Sequence, residues 1–315
     1  MRSSTPSSHP NGNTMKSHRF AFTLVELLVV MAIIGLLLGI LLPALSRARK
    51  NAQQVKCATQ IKEIHKGWIT ESNNDSQQQR YPTPGDINRL MVNGQNIPGR
   101  GDPNEAKNSH QNMWSACIAK NLFSPALLIS PAETSSKVGQ CTNYNFNAYK
   151  VALDNYWDGD TPDGGGGGAV GNFRIQGNGP VLTSSATSYA TMPLANNDRR
   201  RREWKQSGNS KFVVLGSRGV INGSLSPNDY RASETLRIHG DKDRWEGNVC
   251  CNDNHVTYEV TFYPEGLDRI GTGSTSILDN IFLADTNANN RDSLIQIVTQ
   301  VTGSGAATSH VASWD

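Results

Sequence analysis

The sequence lacks the short motifs that mark most catalytic and metal sites. It contains no G-x-S-x-G, no H-E-x-x-H, no phosphate-binding glycine loop and no C-x-x-C. These motifs are the common signatures of serine hydrolases, zinc peptidases, nucleotide-binding enzymes and structural zinc sites, so their absence disfavours these classes. The formal net charge of +3 is too small to favour nucleic-acid binding. We therefore predict a protein that is not an enzyme, has no cofactor and does not bind nucleic acid.

Cysteine is also scarce, and its number is odd. The five cysteines are Cys57, Cys117, Cys141, Cys250 and Cys251. At least one of them has no partner for a disulfide within the chain, and the sequence leaves the pairing open. Cys250 and Cys251 are neighbours in a predicted strand, where they point to opposite faces, so we do not expect them to pair with each other.

Residues 1–21 contain no acidic residue, and a long apolar segment follows them. Arg2, Lys16 and Arg19 make the leader basic, and its Ser, Pro, Asn and Gly content predicts disorder. From Phe20 to Leu42 the chain is apolar for about 23 residues, or roughly 34 Å of helix, enough to cross a bilayer. A cleaved secretory signal has a shorter apolar core of about 7–15 residues, which disfavours that alternative. A basic leader predicts a cytoplasmic N-terminus and an extracytoplasmic remainder.

One carboxylate, Glu26, interrupts the apolar segment near its start. An ionised side chain in hydrocarbon costs several kcal/mol and needs a partner. Cleavage before Phe22 would create a positive α-amino group close enough to provide one. The alternative is a glutamate that extends to the lipid headgroups, since it lies about one turn from the helix start.

Residues Arg19 to Glu26 resemble the processing site of type IV prepilins and type II secretion pseudopilins. The resemblance implies that a prepilin peptidase/methyltransferase cleaves between Ala21 and Phe22 and N-methylates Phe22. It also implies that Glu26 pairs with a Phe22 amine during assembly with other pilins or pseudopilins in the inner membrane. Ala21 stands where the family has glycine. Initiation at Met15 instead of Met1 would give a leader of the family's usual length, and the sequence leaves this choice open.

The helix is predicted to continue beyond the membrane. An apolar stripe at spacings of three or four residues includes Leu45, Ala48, Ala52, Val55, Ala58, Ile61, Ile64 and Trp68. Pro43 has no backbone N–H, so we expect it to kink or locally melt the helix. The predicted organisation is a cleaved cytoplasmic leader (1–21), a transmembrane helix (22–42), its extracytoplasmic continuation (43–75) and a globular extracytoplasmic domain (76–315).

Further segments resemble pseudopilin-like proteins that are abundant in planctomycetes. These segments are Pro43–Arg49, Cys57–Ile64, Tyr81-Pro82 and an Asn143–Asn147 strand. The closing segment, His239-Gly240 followed by Gly247–Val256, resembles the family's H-x-G…D-G-H-V hairpin, with Asn254 in place of glycine. We predict strands at 212–215, 249–251, 255–262, 277–283 and 294–301. The expected fold is α+β and pilin-like: a long N-terminal helix followed by a domain with an antiparallel sheet and long loops.

Two loops have the oxygen-rich composition of calcium sites. Asp285, Asn287 and Asn289 are spaced like the first ligands of a calcium loop, although the usual glycine and closing acid are missing. Asp154, Asp158, Asp160 and Asp163 form the second candidate. Hydrated loops are the simpler interpretation of both. His239 and His255, with nearby aspartates, could bind metal or shuttle protons, but a structural turn explains them better.

Three functions follow from these patterns. The first is a subunit of a type II secretion pseudopilus or a type IV pilus-like filament. The second is a ligand-binding ectodomain, for example for carbohydrate, that uses the prepilin helix as an anchor. The third is a membrane-tethered hydrolase. Glu26 favours the first, because an anchor alone does not require a buried carboxylate.

Overall fold

The computed structural model describes residues 23–74, 79–86, 90–92, 95–97, 104–148, 156–160, 171–195, 202–240, 243–267, 277–284, 292–303 and 308–315. By its internal contacts the chain divides into two compact units, Met1–Arg49 and Lys50–Asp315. The fold is α+β, with a long apolar N-terminal helix and a globular part built from antiparallel strands and loops. This confirms the predicted fold class.

Helix α1 runs from Leu24 to Asn74, one residue short of the predicted end of its continuation at residue 75. Its apolar side chains between Leu24 and Leu45 are exposed, and within the described residues it is the one helix long and apolar enough to cross a membrane. The helix continues through Pro43, so the predicted local melting is not observed there. Because proline still removes one backbone hydrogen bond, the bend at Pro43 stays a prediction.

The second unit is built on the C-terminal half of α1. Cys57, Ile61, Ile64 and Trp68 recur at spacings of four and three residues, and all are fully buried. Ile61, Ile64 and Trp68 belong to the predicted apolar stripe, which confirms its last part, whereas Cys57 was not assigned to it. Val55 was assigned to the same stripe, but its side chain is 65% exposed. The assignment was wrong because Val55 lies about 160° around the helix from Cys57.

Ten strands lie in the described residues. They are β1 (Leu90–Val92), β2 (Gln95–Ile97), β3 (Ile175–Asn178), β4 (Val181–Ser185), β5 (Tyr189–Thr191), β6 (Val213–Ser217), β7 (Gly247–Cys251), β8 (Val256–Glu259), β9 (Val298–Thr302) and β10 (Ser309–Ala312). Strands β5-β6-β7-β8 form an antiparallel sheet in that order, and β1–β2, β3–β4 and β9–β10 form two-stranded antiparallel pairs. Among the described residues, α2 (His110–Ala119) and α3 (Pro227–Ala232) are further α-helices, and short 3-10 turns lie at Pro84–Asp86, Glu105–Lys107, Pro125–Leu128, Ile221–Gly223 and Glu234–Arg237.

The predicted closing hairpin is present as β7–β8. Cys250 pairs with Val256, and the turn between the strands includes Asn254 at φ 69°. Asparagine accepts this left-handed conformation more readily than most residues, which explains how it replaces a glycine. The hairpin strand was predicted as 255–262, but β8 ends at Glu259, and Val260 is 44% exposed.

Two predicted strands are not formed. Residues 277–283 contain an isolated bridge and turns, although Ile281 and Phe282 are fully buried. Both side chains belong to the main core, where the Phe282 ring lies 5.2 Å from the rings of Trp245 and Phe262. The Ile281 N–H donates to the Phe262 carbonyl at 3.1 Å. Residues 143–147 form bends and a turn, and Asn145 N–H donates to Asp158. Asparagine side chains favour such turns over strands.

Candidate functional site

Thr23 and Glu26 form three reciprocal hydrogen bonds at the start of α1. The backbone N–H and the hydroxyl of Thr23 both donate to Oε2 of Glu26, at 2.8 Å each. In return, the N–H of Glu26 donates to the Thr23 hydroxyl at 3.2 Å. Thr23 precedes the first helical residue, and Glu26 lies three positions later. This geometry is a capping box, which satisfies N–H groups that have no partner within the helix.

The capping box gives Glu26 a hydrogen-bond partner, Thr23, that was not predicted from the sequence. The motif T-x-x-E before an apolar helix is a known start signal, and Thr23-Leu24-Val25-Glu26 matches it. The carboxylate is therefore held at the helix start even without a charged amine. One oxygen, Oε2, receives both Thr23 donors, so Oε1 has no bond to Thr23 and can accept from another group.

Ala21 and Phe22, the predicted cleavage site, lie outside the described residues. Phe22 directly precedes Thr23, so cleavage there would make Thr23 the second residue of the mature chain. Cleavage would leave the capping box intact, because both of its members follow the predicted cut. The cleavage, the methylation of Phe22 and the assembly role of Glu26 stay predictions.

A buried polar network connects the second half of α1 to the β7–β8 turn. His65 has its Nδ1 3.2 Å from Oδ1 of Asn254 and its Nε2 3.1 Å from the hydroxyl of Tyr81. That hydroxyl donates to Oδ1 of Asn252 at 2.6 Å. Burial lowers the pKa of His65 to about 4, although the Asn254 amide oxygen opposes the shift. The imidazole is therefore neutral at pH 7 and acts as a structural link.

Aromatic side chains surround this network. The ring of Trp68 lies 4.8 Å from Trp204, 5.4 Å from Trp114 and 5.9 Å from Tyr81, measured between centroids. All four rings are buried at 1% exposure or less. Aromatic pairs at such distances stabilise the folded state by more than the burial of their apolar area alone. The cluster fixes the second half of α1 against its own unit.

The histidines proposed as metal ligands do not form a metal site in the described part of the chain. His255 pairs with Asp253 at 2.5 Å in the hairpin turn. The ring of His239 packs edge-on against Tyr258, with centroids 6.2 Å apart. Within the described residues no group of three His, Cys, Asp or Glu side chains is placed to hold a metal ion.

The candidate calcium loops divide between described and undescribed residues. Asp285, Asn287 and Asn289 lie outside the described residues, so their role is untested, and the same holds for Asp154 and Asp163. Asp158 and Asp160 are both 1% exposed.

These two aspartates already bond to the protein. Oxygens of Asp158 accept backbone N–H groups from Asn145, Asn172 and Phe173 at 3.0–3.2 Å. Asp160 forms a buried ion pair with Lys107 at 3.2 Å. Both carboxylates therefore stabilise loops.

The five cysteines are all buried and unpaired. Burial raises the pKa of the Cys251 thiol to about 12 and also raises that of Cys57. A thiol reacts as its thiolate, so these side chains are poor nucleophiles at neutral pH. They contribute as small apolar core residues.

Comparison with known families locates similarity at the N-terminus. Residues 16–42 match the prokaryotic N-terminal methylation motif. This motif is typical of pilin- and pseudopilin-type proteins, which are structural subunits that a prepilin peptidase processes and that assemble with other pilins. Together with one exposed apolar helix, it indicates single-pass membrane anchoring. No similar curated protein and no similar solved structure was found.

Proposed function

We propose that the chain is a pilin-like subunit that assembles into a type II secretion pseudopilus or a type IV pilus-like filament. The observation that carries the proposal is the methylation motif at residues 16–42, which includes an exposed apolar helical segment with Glu26 as its single acid. In this proposal, prepilin peptidase cleaves between Ala21 and Phe22 and methylates the new amine. The processed helix then packs against the helices of neighbouring subunits.

The capping box supports a specific role for Glu26 in assembly. Thr23 holds the carboxylate at the membrane end of the helix through Oε2. A protonated Phe22 amine, from the same chain or a neighbouring subunit, would supply the opposite charge. In hydrocarbon such an ion pair is stronger than in water, and an unpaired carboxylate is costly. Subunits that align Glu26 with an amine are therefore favoured over other registers.

The proposed orientation places the leader in the cytoplasm and Lys50–Asp315 outside the inner membrane. Basic residues lie on both sides of the apolar segment, with Lys16 and Arg19 before it and Arg47, Arg49 and Lys50 after it. Charge bias alone therefore does not fix the orientation. The methylation motif does favour it, because prepilin peptidase acts on leaders at the cytoplasmic face.

A pair of substitutions separates the capping role of Glu26 from its assembly role. Glu26→Val removes the carboxylate and keeps the apolar span. Thr23→Val keeps the carboxylate and the shape of residue 23 but removes the hydroxyl. Each variant is produced with prepilin peptidase and the partner pilins. Membrane insertion, leader cleavage and crosslinking into polymers are then measured.

We expect Glu26→Val to insert and to be cleaved but to lose most polymer crosslinks. Thr23→Val should assemble at close to the native level, because the carboxylate remains available to an amine. If Glu26→Val enters polymers at the native level, the charge-pair role is wrong. If both variants fail equally, Glu26 acts through its cap. If the native protein is dispersed as single molecules, the chain uses its helix as an anchor for the ectodomain.

A further inference from the structure

A polar cavity of about 270 Å³ lies in the second unit, between the start of its helix and the sheet. Its walls are formed by Lys50, Asn51 and Gln54 from α1 and by His239, Glu246 and Tyr258 from the facing segments. All six side chains carry hydrogen-bonding groups. A cavity of this size accepts a ligand smaller than the drug-sized molecules that fill typical binding pockets.

The helical wall of the cavity interrupts the apolar face of α1. Gln54 and Lys50 continue the buried stripe of Ile61 and Cys57 toward the N-terminus at spacings of three and four residues. Apolar side chains at these two positions would extend the core, yet both are polar. Asn248 Nδ2 donates to the Gln54 carbonyl at 3.2 Å and fixes the backbone here. The cavity is therefore a polar space between two fixed elements.

The opposite wall holds a carboxylate in a defined orientation. Tyr258 donates its hydroxyl to Oε2 of Glu246 at 2.5 Å, and Arg244 Nε donates to Oε1 at 3.0 Å. A terminal nitrogen of Arg244 also donates to Oε1, so Oε1 already accepts two hydrogen bonds. Oε2 can accept a further hydrogen bond, which suits one ligand hydroxyl.

His239 completes this wall. Its Nε2 is buried and has no hydrogen-bond partner among the described residues. Native proteins rarely leave such an atom without a hydrogen-bond partner. Burial lowers the pKa of His239, although the charge of Glu246 opposes the shift, so the ring is neutral at pH 7. A neutral imidazole has one hydrogen-bond donor and one acceptor, so it can pair with a hydroxyl group, which also donates and accepts.

We propose that this cavity binds one hydroxyl-rich sugar residue of a carbohydrate. Hydroxyl groups both donate and accept, and the amides of Asn51 and Gln54, the Glu246 carboxylate and the His239 ring offer both functions within one sugar-sized space. An apolar ligand would leave these groups unpaired. The inference is independent of filament assembly, because every lining residue lies in Lys50–Asp315.

Ligand titration of the full chain tests the proposal. The protein is held in a sugar-free detergent, and glucose, N-acetylglucosamine and glucuronate are titrated by calorimetry and by saturation-transfer NMR. The variants are Asn51→Ala and Glu246→Gln. The matched control is Lys56→Gln, because Lys56 is exposed on the same helix and does not line the cavity. Tryptophan fluorescence checks that each variant is folded.

We expect at least one of the three sugars to bind at a single saturable site. Asn51→Ala and Glu246→Gln should each weaken its affinity roughly five- to tenfold, the effect of losing one hydrogen bond, and Lys56→Gln should leave it unchanged. Asn51 is exposed, so Asn51→Ala decides the test if Glu246→Gln fails to fold. The proposal is overturned if no sugar binds saturably, or if folded Asn51→Ala binds as tightly as the native protein.

Discussion

Mild acid should destabilise the second unit, because two buried histidines are held neutral. Burial lowers the pKa of His65 to about 4 and that of His110 to about 3. His110 lies between two backbone groups, with Nε2 3.2 Å from the Met192 carbonyl and Nδ1 accepting from Val298 N–H at 3.0 Å. A proton added at Nδ1 would face another donor, so folding keeps this ring neutral.

The sign and size of the effect follow from linkage between protonation and folding. Above about pH 6.5, the usual histidine value, neither the folded nor the unfolded state holds the extra proton. As the pH falls below that value, the unfolded chain binds protons that the folded chain does not, so unfolding is favoured. Between pH 7.5 and pH 5, the lowered pKa of His65 reduces the free energy of unfolding by about 2 kcal/mol, and the lowered pKa of His110 reduces it by a similar amount.

Urea unfolding at pH 7.5 and pH 5, followed by tryptophan fluorescence, measures this loss. His65→Gln should lower stability at pH 7.5 and should also remove about 2 kcal/mol of the loss between the two pH values. His255→Gln is the control, since His255 lies in the exposed hairpin turn. The reasoning is refuted if His65→Gln shows the same pH dependence as the native protein.

Four other substitutions test the packing of the second unit, each by urea unfolding. Trp68→Ala should cost about 3–5 kcal/mol, because it empties the centre of the aromatic cluster, and a loss below 1 kcal/mol would contradict that position. Glu133→Gln should cost about 1.5–3 kcal/mol, because it removes one of the two carboxylate charges that pair with buried Arg218 while Asp315 remains, and an unchanged midpoint would count against the pair. Val256→Asp should destabilise the hairpin, because Val256 packs on the core, whereas Val260→Asp should be tolerated, because Val260 follows the end of β8 and is more exposed; equal effects would show that Val256 is not the more buried of the two.

Local patterns were sufficient to predict the long helix and the closing hairpin. These patterns act over a few residues each: the apolar segment, the stripe that ends in Ile61, Ile64 and Trp68, and the Asn252–Asn254 turn. The burial of Cys57 was not predicted. The structure agrees with these patterns because each depends on the backbone hydrogen bonds of its own element and on the burial of one face of that element. Val55 and Val260 show the limit of such patterns, because Val55 lies on nearly the opposite face of α1 from Cys57 and Val260 follows the last residue of β8.

Pairings between distant segments could not be predicted from the sequence. Lys107 and Asp160 form a fully buried ion pair, and Arg218 pairs with both Glu133 and Asp315. Each charged residue alone looks like a surface residue, since burial is expensive without the partner. The partners are far apart in the chain, so no local signal identifies them.

The candidate site was predicted in part. Glu26 stood out because it is a carboxylate in an apolar helix, whereas Thr23 was overlooked although the T-x-x-E spacing was readable. The cavity around His239 and Glu246 could not be predicted, because it depends on how α1 meets the sheet. The wider resemblance to planctomycete pseudopilin-like proteins, including the sequence motif of the closing segment, stays a prediction.

The mature N-terminus tests the central claim most directly. The full-length protein is produced with and without prepilin peptidase, extracted from membranes and measured by intact mass and N-terminal peptide analysis. The account predicts that the peptidase-treated chain begins with N-methylated Phe22 and that the untreated chain keeps its leader. A mature chain that begins elsewhere in the apolar segment, or a leader that stays uncut when the peptidase is present, would contradict it.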